Sequence, residues 1–120
     1  MQDGCMTEFR HKRIYAAPEE ADGFRVLVDR LWPRGKSEAA AEIDLWAKDI
    51  APTNELRKRF HSDDDYAGFH TDYLRELDGN DAAPDVFEAL REHDVVTLLT
   101  AAKHPERSHV QVLLDRLRAL

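Results

Sequence analysis

Hydrophobic and polar positions change their period several times along this chain of 120 residues. In FRVLVDRL (24–31), Phe24, Val26 and Val28 alternate with Arg25 and Leu27, and the aliphatic and β-branched content predicts a strand. HKRIYAA (11–17) reads as a shorter strand, and PEEADG (18–23) between them as a turn bounded by Pro18 and Gly23. A link this short leaves no room for a helical crossover, so these strands are expected to be antiparallel or offset neighbours. VVTLLTAA (95–102) is a continuous apolar run of strand length, the pattern of a parallel strand covered on both faces.

Between the strands the period becomes helical. KSEAAAEIDLWAKDI (36–50) places Ile43, Trp46, Ala47 and Ile50 at helical spacing before Pro52 interrupts it. Thr53 then suits an N-cap for a helix through Phe60. Ser62 with Asp65 resembles a cap for a helix bearing Phe69, Tyr73 and Leu77, ended at Gly79–Asn80. Pro84 opens another helix, PDVFEALREH, and SHVQVLLDRLRAL starts with a capping box of Ser108 and Gln111. The expected fold is α/β: a small, mainly parallel sheet of three to four strands covered by helices, in a single domain over 11–120 after a flexible tail at 1–10.

Charge narrows the partners. Lys and Arg number 17 against 24 Asp and Glu, a net charge of −7, which argues against non-specific binding to nucleic acid or an anionic membrane. One cysteine, Cys5, allows no intrachain disulfide and no cysteine-based metal site, and the opening MQDGCMTEFR lacks an apolar signal core. The expected location is the cytoplasm. The histidines at 11, 61, 70, 93 and 104 show no paired metal-ligand spacing, so neither metal nor cofactor is expected.

The chemistry is concentrated after the two strong strands. One ends in DRLWPRG, the other in AAKHPERSH, and open α/β sheets bind ligands beyond the carboxyl ends of their strands. If the two strands run parallel, Arg30, Arg34, Lys103 and His109, with Arg107 nearby, converge from distant parts of the chain. Arg30 and Arg34 are then expected to clamp a phosphate or carboxylate, because guanidinium groups bind both bidentately. Lys103 and the N-terminus of the last helix add positive potential. His109 stands as general acid or base with Asp29 orienting it. Trp32 supplies an apolar wall, Trp46 a second substrate contact, and Arg57 enters from the helix after Pro52.

RVLVDRLWPRG, then IDLWAKDIAPTNELRKRF, then LLTAAK with a histidine six residues after the lysine, resembles the DUF488 family in its YeaO-like branch, from about residue 11 to 118. The resemblance implies a small cytoplasmic α/β domain whose signature polar residues suggest an enzyme of unassigned reaction. It carries Asp29, Arg30, Trp32, Pro33, Arg34 and Gly35 from the first element. Trp46, Asp49, Pro52, Arg57 and Phe60 follow from the second, and Lys103 and His109 from the last. Two positions depart from the pattern: His104 stands where an acid is usual, and Arg59 where an aromatic is expected. The sequence thus points to an enzyme acting on a small anionic substrate at the strand ends, or alternatively to a non-catalytic ligand-binding or regulatory module using the same pocket. Oligomeric state is not legible.

Overall fold

The computed structural model describes residues 7–119; Cys5 and most of the tail lie outside that range. Four strands, β1 (Glu8–Arg13), β2 (Phe24–Leu27), β3 (Leu45–Trp46) and β4 (Val95–Thr100), form one sheet in the order β1-β4-β2-β3, and every pairing is parallel. The expected α/β class with a small parallel sheet is therefore observed. β1 takes in Glu8, Phe9 and Arg10, residues the sequence reading gave to the tail.

The expected antiparallel or adjacent relation of the first two strands is overturned. β4 inserts between them, and the short link at 14–23 carries the chain back across it. Gly23 makes this return possible. It sits at φ +65, and a Cβ there would lie 2.5 Å from the Val95 carbonyl oxygen, so only glycine fits so close to β4.

The expected helix over 36–50 shrinks to α1 (Glu38–Ala41), capped by Ser37 and ended by Glu42 in the left-handed region. Pairing with the open edge of β2 wins over the helical propensity of the alanines. Asp44 N–H donates to the Arg25 carbonyl and Ala47 N–H to the Leu27 carbonyl, each at 2.8 Å, with Leu45–Trp46 as β3 between them. Thr53 caps α2 (Asn54–Asp63) as expected, but the helix runs through Ser62. Asp65 instead caps α3 (Tyr66–Asp78), and Asp64 turns the corner at φ 51. α4 (Ala83–Leu90) holds Pro84 in its first turn, and α5 (His109–Arg118) is capped by Ser108 through Val110 N–H. The reciprocal half of that capping box is not formed, because Gln111 donates to Asp115.

The sheet buries both faces unequally. Val26, Val28, Val96 and Leu98 face a large core completed by Leu56, Phe69, Tyr73, Phe87 and the α5 stripe of Val110, Leu113, Leu114 and Leu117. Leu27 and Leu99 face a smaller one with Ile14 and Ala41, packed by Trp32, Ile43 and Trp46. Tyr73 is fully buried in the larger core, and burial pushes its phenol well above the ordinary value. Its hydroxyl donates to the Ile50 carbonyl at 2.5 Å. Tyr73→Phe strands that carbonyl and is expected to cost about 1–2 kcal/mol. The loss should read as a lower urea midpoint at unchanged slope; an unchanged midpoint would mean that the carbonyl gains nothing from the hydroxyl.

Candidate functional site

Because β1, β4 and β2 are parallel, their carboxyl ends open onto one edge of the sheet, where a cleft of about 1120 Å³ lies. Its walls come from the loop after β2, the start of α2, and the connection from β4 to α5. At its floor Asp29 joins these parts. Thr100 hydroxyl donates to Asp29 Oδ1 at 2.7 Å, and Ala101 N–H donates to Oδ2 at 2.8 Å. His109 Nε2 lies 3.0 Å from Oδ1 and 3.1 Å from the Val28 carbonyl oxygen. Both neighbours are acceptors, so this nitrogen carries the proton. The other ring nitrogen, Nδ1, has no hydrogen-bond partner among the described residues.

Burial pushes the Asp29 carboxyl up, but the hydrogen bond and charge of His109, the Ala101 amide and the Thr100 hydroxyl outweigh it. The group is held below its ordinary value, as a carboxylate. Its main-chain carbonyl is used as well, accepting from Trp46 Nε1 at 2.7 Å. Asp29 therefore ties the ends of β2, β3 and β4 to α5.

Asp29, Arg30, Trp32, Arg34, Arg57, Lys103 and His109 all line the cleft, so residues distant in sequence do converge there. Trp46 does not line it. Its ring braces Trp32 edge-on at 5.2 Å from behind, under Lys48, and Trp32 in turn donates Nε1 to the Lys36 carbonyl at 2.6 Å. Arg30 lines the cleft but spends its donors on the chain, Nε to the Pro52 carbonyl at 3.1 Å and Nη2 to the Ala51 carbonyl at 3.0 Å. With Asn80 on the Asp49 carbonyl and Tyr73 on that of Ile50, four consecutive carbonyls before α2 each receive a side-chain donor. This fixes the start of α2, and with it Arg57. The two departures from the family pattern also find places: Arg59 pairs with Asp72 of α3, away from the cleft, and exposed His104 faces Glu106 at 3.6 Å.

Sequence reasoning missed Lys58, Tyr15, Leu31 and Thr100. Lys58 follows Arg57 on the exposed side of α2. Thr100 is the last residue of β4, and Tyr15 lies just beyond β1, so the strand-end rule finds both once all three strands are known to be parallel. Among the described residues no three His, Cys, Asp or Glu side chains gather as a metal site requires, and no helix is long and apolar enough to cross a membrane.

Fold and cleft define a small parallel α/β domain with a cation-lined site at its strand ends. The chain belongs to the DUF488 family: residues 8–120 match the model DUF488-N3i, described as "Inactive DUF488-N3 subclade". It is 43% identical over 110 residues to "Uncharacterized protein YeaO" of Escherichia coli (strain K12), covering 91% of this chain and 96% of that protein. It is 38% identical over 112 residues to "Uncharacterized protein Rv3073c" of Mycobacterium tuberculosis (strain ATCC 25618 / H37Rv), covering 92% of this chain and 94% of that one. "Uncharacterized protein Mb3100c" of Mycobacterium bovis matches to the same degree. No solved structure matches the chain significantly.

Proposed function

We propose that the cleft binds a small anion bearing a phosphate or carboxylate, and that the protein is a ligand-binding module. The observation that carries this is an inversion of charge. In a chain of net charge −7, the cleft is lined by Arg30, Arg34, Arg57, Lys58, Lys103 and Arg107, the last of them paired with Asp64 at 2.8 Å, and by one carboxylate, Asp29. That carboxylate already accepts from the Thr100 hydroxyl and the Ala101 amide and lies against His109, so it does not stand free as a base. Arg34, Arg57 and Lys103 are the exposed cations that would hold the ligand, with Trp32 as a wall. Arg30 would act through α2, by holding its first turn. The description of the matching subclade as inactive favours binding without turnover. The expected setting is the cytoplasm, in keeping with the single cysteine.

A second reading, an enzyme acting on the same kind of anion, draws on the Asp29–His109 contact. A carboxylate fixing one imidazole nitrogen while the other stays free is the arrangement of a general acid or base.

A thermal-shift series with inorganic phosphate and citrate, at matched ionic strength, tests the binding reading. Stabilisation grows with ligand concentration over its dissociation constant, by about 2.7 kcal/mol at a hundredfold excess. Lys103→Ala and Arg34→Ala should each weaken binding about tenfold with little effect on the melting temperature of the free protein. No shift with any anion would overturn the proposal. Turnover of a bound anion that is lost in His109→Ala would favour the enzyme.

A further inference from the structure

We infer that the ligand carries a flat apolar body beside its anionic group, so that the cleft selects an aryl phosphate over a bare hydrated anion. This rests on the anion-binding reading and narrows it. Among the described residues the large hydrophobic side chains left exposed are Tyr15, at 43%, and Leu31, at 61%. Both line this cleft. Exposed apolar groups scattered singly need no explanation, but two that line the same cation-rich cleft give it an amphipathic surface.

The surface is built rather than incidental. Tyr15 is pinned at its hydroxyl, which donates to the Arg34 carbonyl at 3.1 Å, and the Arg13 guanidinium lies 5.3 Å from its ring centre. Arg13 itself donates to the Ala102 carbonyl at 3.0 Å, so ring and β4–α5 connection are held together. Trp32 is fixed by Lys36 and Trp46, and Phe60 carries Arg107 at 5.4 Å. Held aromatic rings favour an aromatic guest, which gains from stacked or edge-on contacts beyond its buried area. Leu31 and Arg34 leave the same loop three residues apart, which puts an apolar contact and a guanidinium within reach of one small molecule. Inorganic phosphate engages the cations alone and leaves Tyr15 and Leu31 wet.

Isothermal titration of the full chain with inorganic phosphate, phenyl phosphate and phenol tests this. Phenyl phosphate is expected to bind about 30-fold tighter than phosphate, the increment of one buried ring, with a more negative heat-capacity change. Leu31→Ser, at an exposed position, should cut that advantage severalfold, leaving phosphate affinity and melting temperature unchanged. Equal affinities for phosphate and phenyl phosphate would overturn this inference and leave the anion reading standing. Failure of both anions to bind, or phenol binding as tightly as phenyl phosphate, would overturn the anion reading itself.

Discussion

Asp29→Ala is expected to lower the melting temperature by about 12 °C at pH 7, the largest effect of any change at the cleft. The substitution strands the Ala101 amide and the Thr100 hydroxyl together and leaves the His109 Nε2–H with the Val28 carbonyl alone. Removing one member of a buried, charge-assisted network costs about 3 kcal/mol, and a domain of this size loses about 4 °C per kcal/mol. Asp29→Asn should recover only part of the loss, because its amide nitrogen offers hydrogens where the carboxylate accepted them.

The pH dependence gives the network a signature. The folded value of Asp29 lies below its unfolded value of about 3.8. Its charge therefore stabilises the fold fully above about pH 4, and that stability is lost as pH falls through the folded value. The gap in stability between the parent and Asp29→Asn is thus expected to narrow as the pH falls below about 4. A gap independent of pH throughout would show that the shape of the side chain, not its charge, holds the strand ends together.

How much of this was legible in the sequence follows from what each signal reports. VVTLLTAA revealed β4 because a strand covered on both faces is apolar at every position, and the parallel arrangement that brings DRLWPRG to AAKHPERSH follows from it. The stretch at 36–50 was misread because its helical spacing and alanines are local properties. The demand of the β2 edge for partners is a tertiary one. Arg30 was legible as a site residue but not in its role. A guanidinium at a strand end serves an anion and a row of carbonyls equally well, and only the position of residues 49–52 decides between them. Trp46 fails for the same reason: the pattern marks an aromatic near the site, and the fold turns it to the rear of Trp32. Tyr15 and Leu31 carry no pattern at all, since an isolated exposed hydrophobic residue resembles any other until the cleft they share is seen.

Arg25 shows the same ambiguity inside the sheet, and it carries the second large effect. In FRVLVDRL it occupies the polar phase of an alternating strand, which suggests an outward, solvated side chain. Instead it is buried under α1, where Nη2 donates to the Ala41 carbonyl at 2.8 Å, Nε to the Glu42 carbonyl at 3.0 Å and Nη1 to Asp22 at 2.5 Å. Asp22 also accepts from Lys12 and the Glu19 amide, and these contacts outweigh burial in holding its carboxyl below the ordinary value. The guanidinium is thus the clasp that returns the loop at 28–37 to the sheet through α1, although it touches no part of the cleft. Arg25→Met keeps much of the volume but leaves two carbonyls unpaired and a buried carboxylate short of a partner. The expected cost is about 3 kcal/mol or more. Adding Asp22→Asn should return part of it, because the orphaned charge is then removed as well. Since Trp32 and Arg34 ride on the loop that Arg25 anchors, Arg25→Met should also weaken phosphate binding at temperatures where the variant remains folded. Arg34→Ala weakens binding without a stability loss, and Arg25→Met is expected to show both, the mark of a residue that shapes the site from behind. A variant that melts as the parent does would mean that α1 and its loop are held by their apolar contacts through Ala41, Ile43 and Trp46 alone.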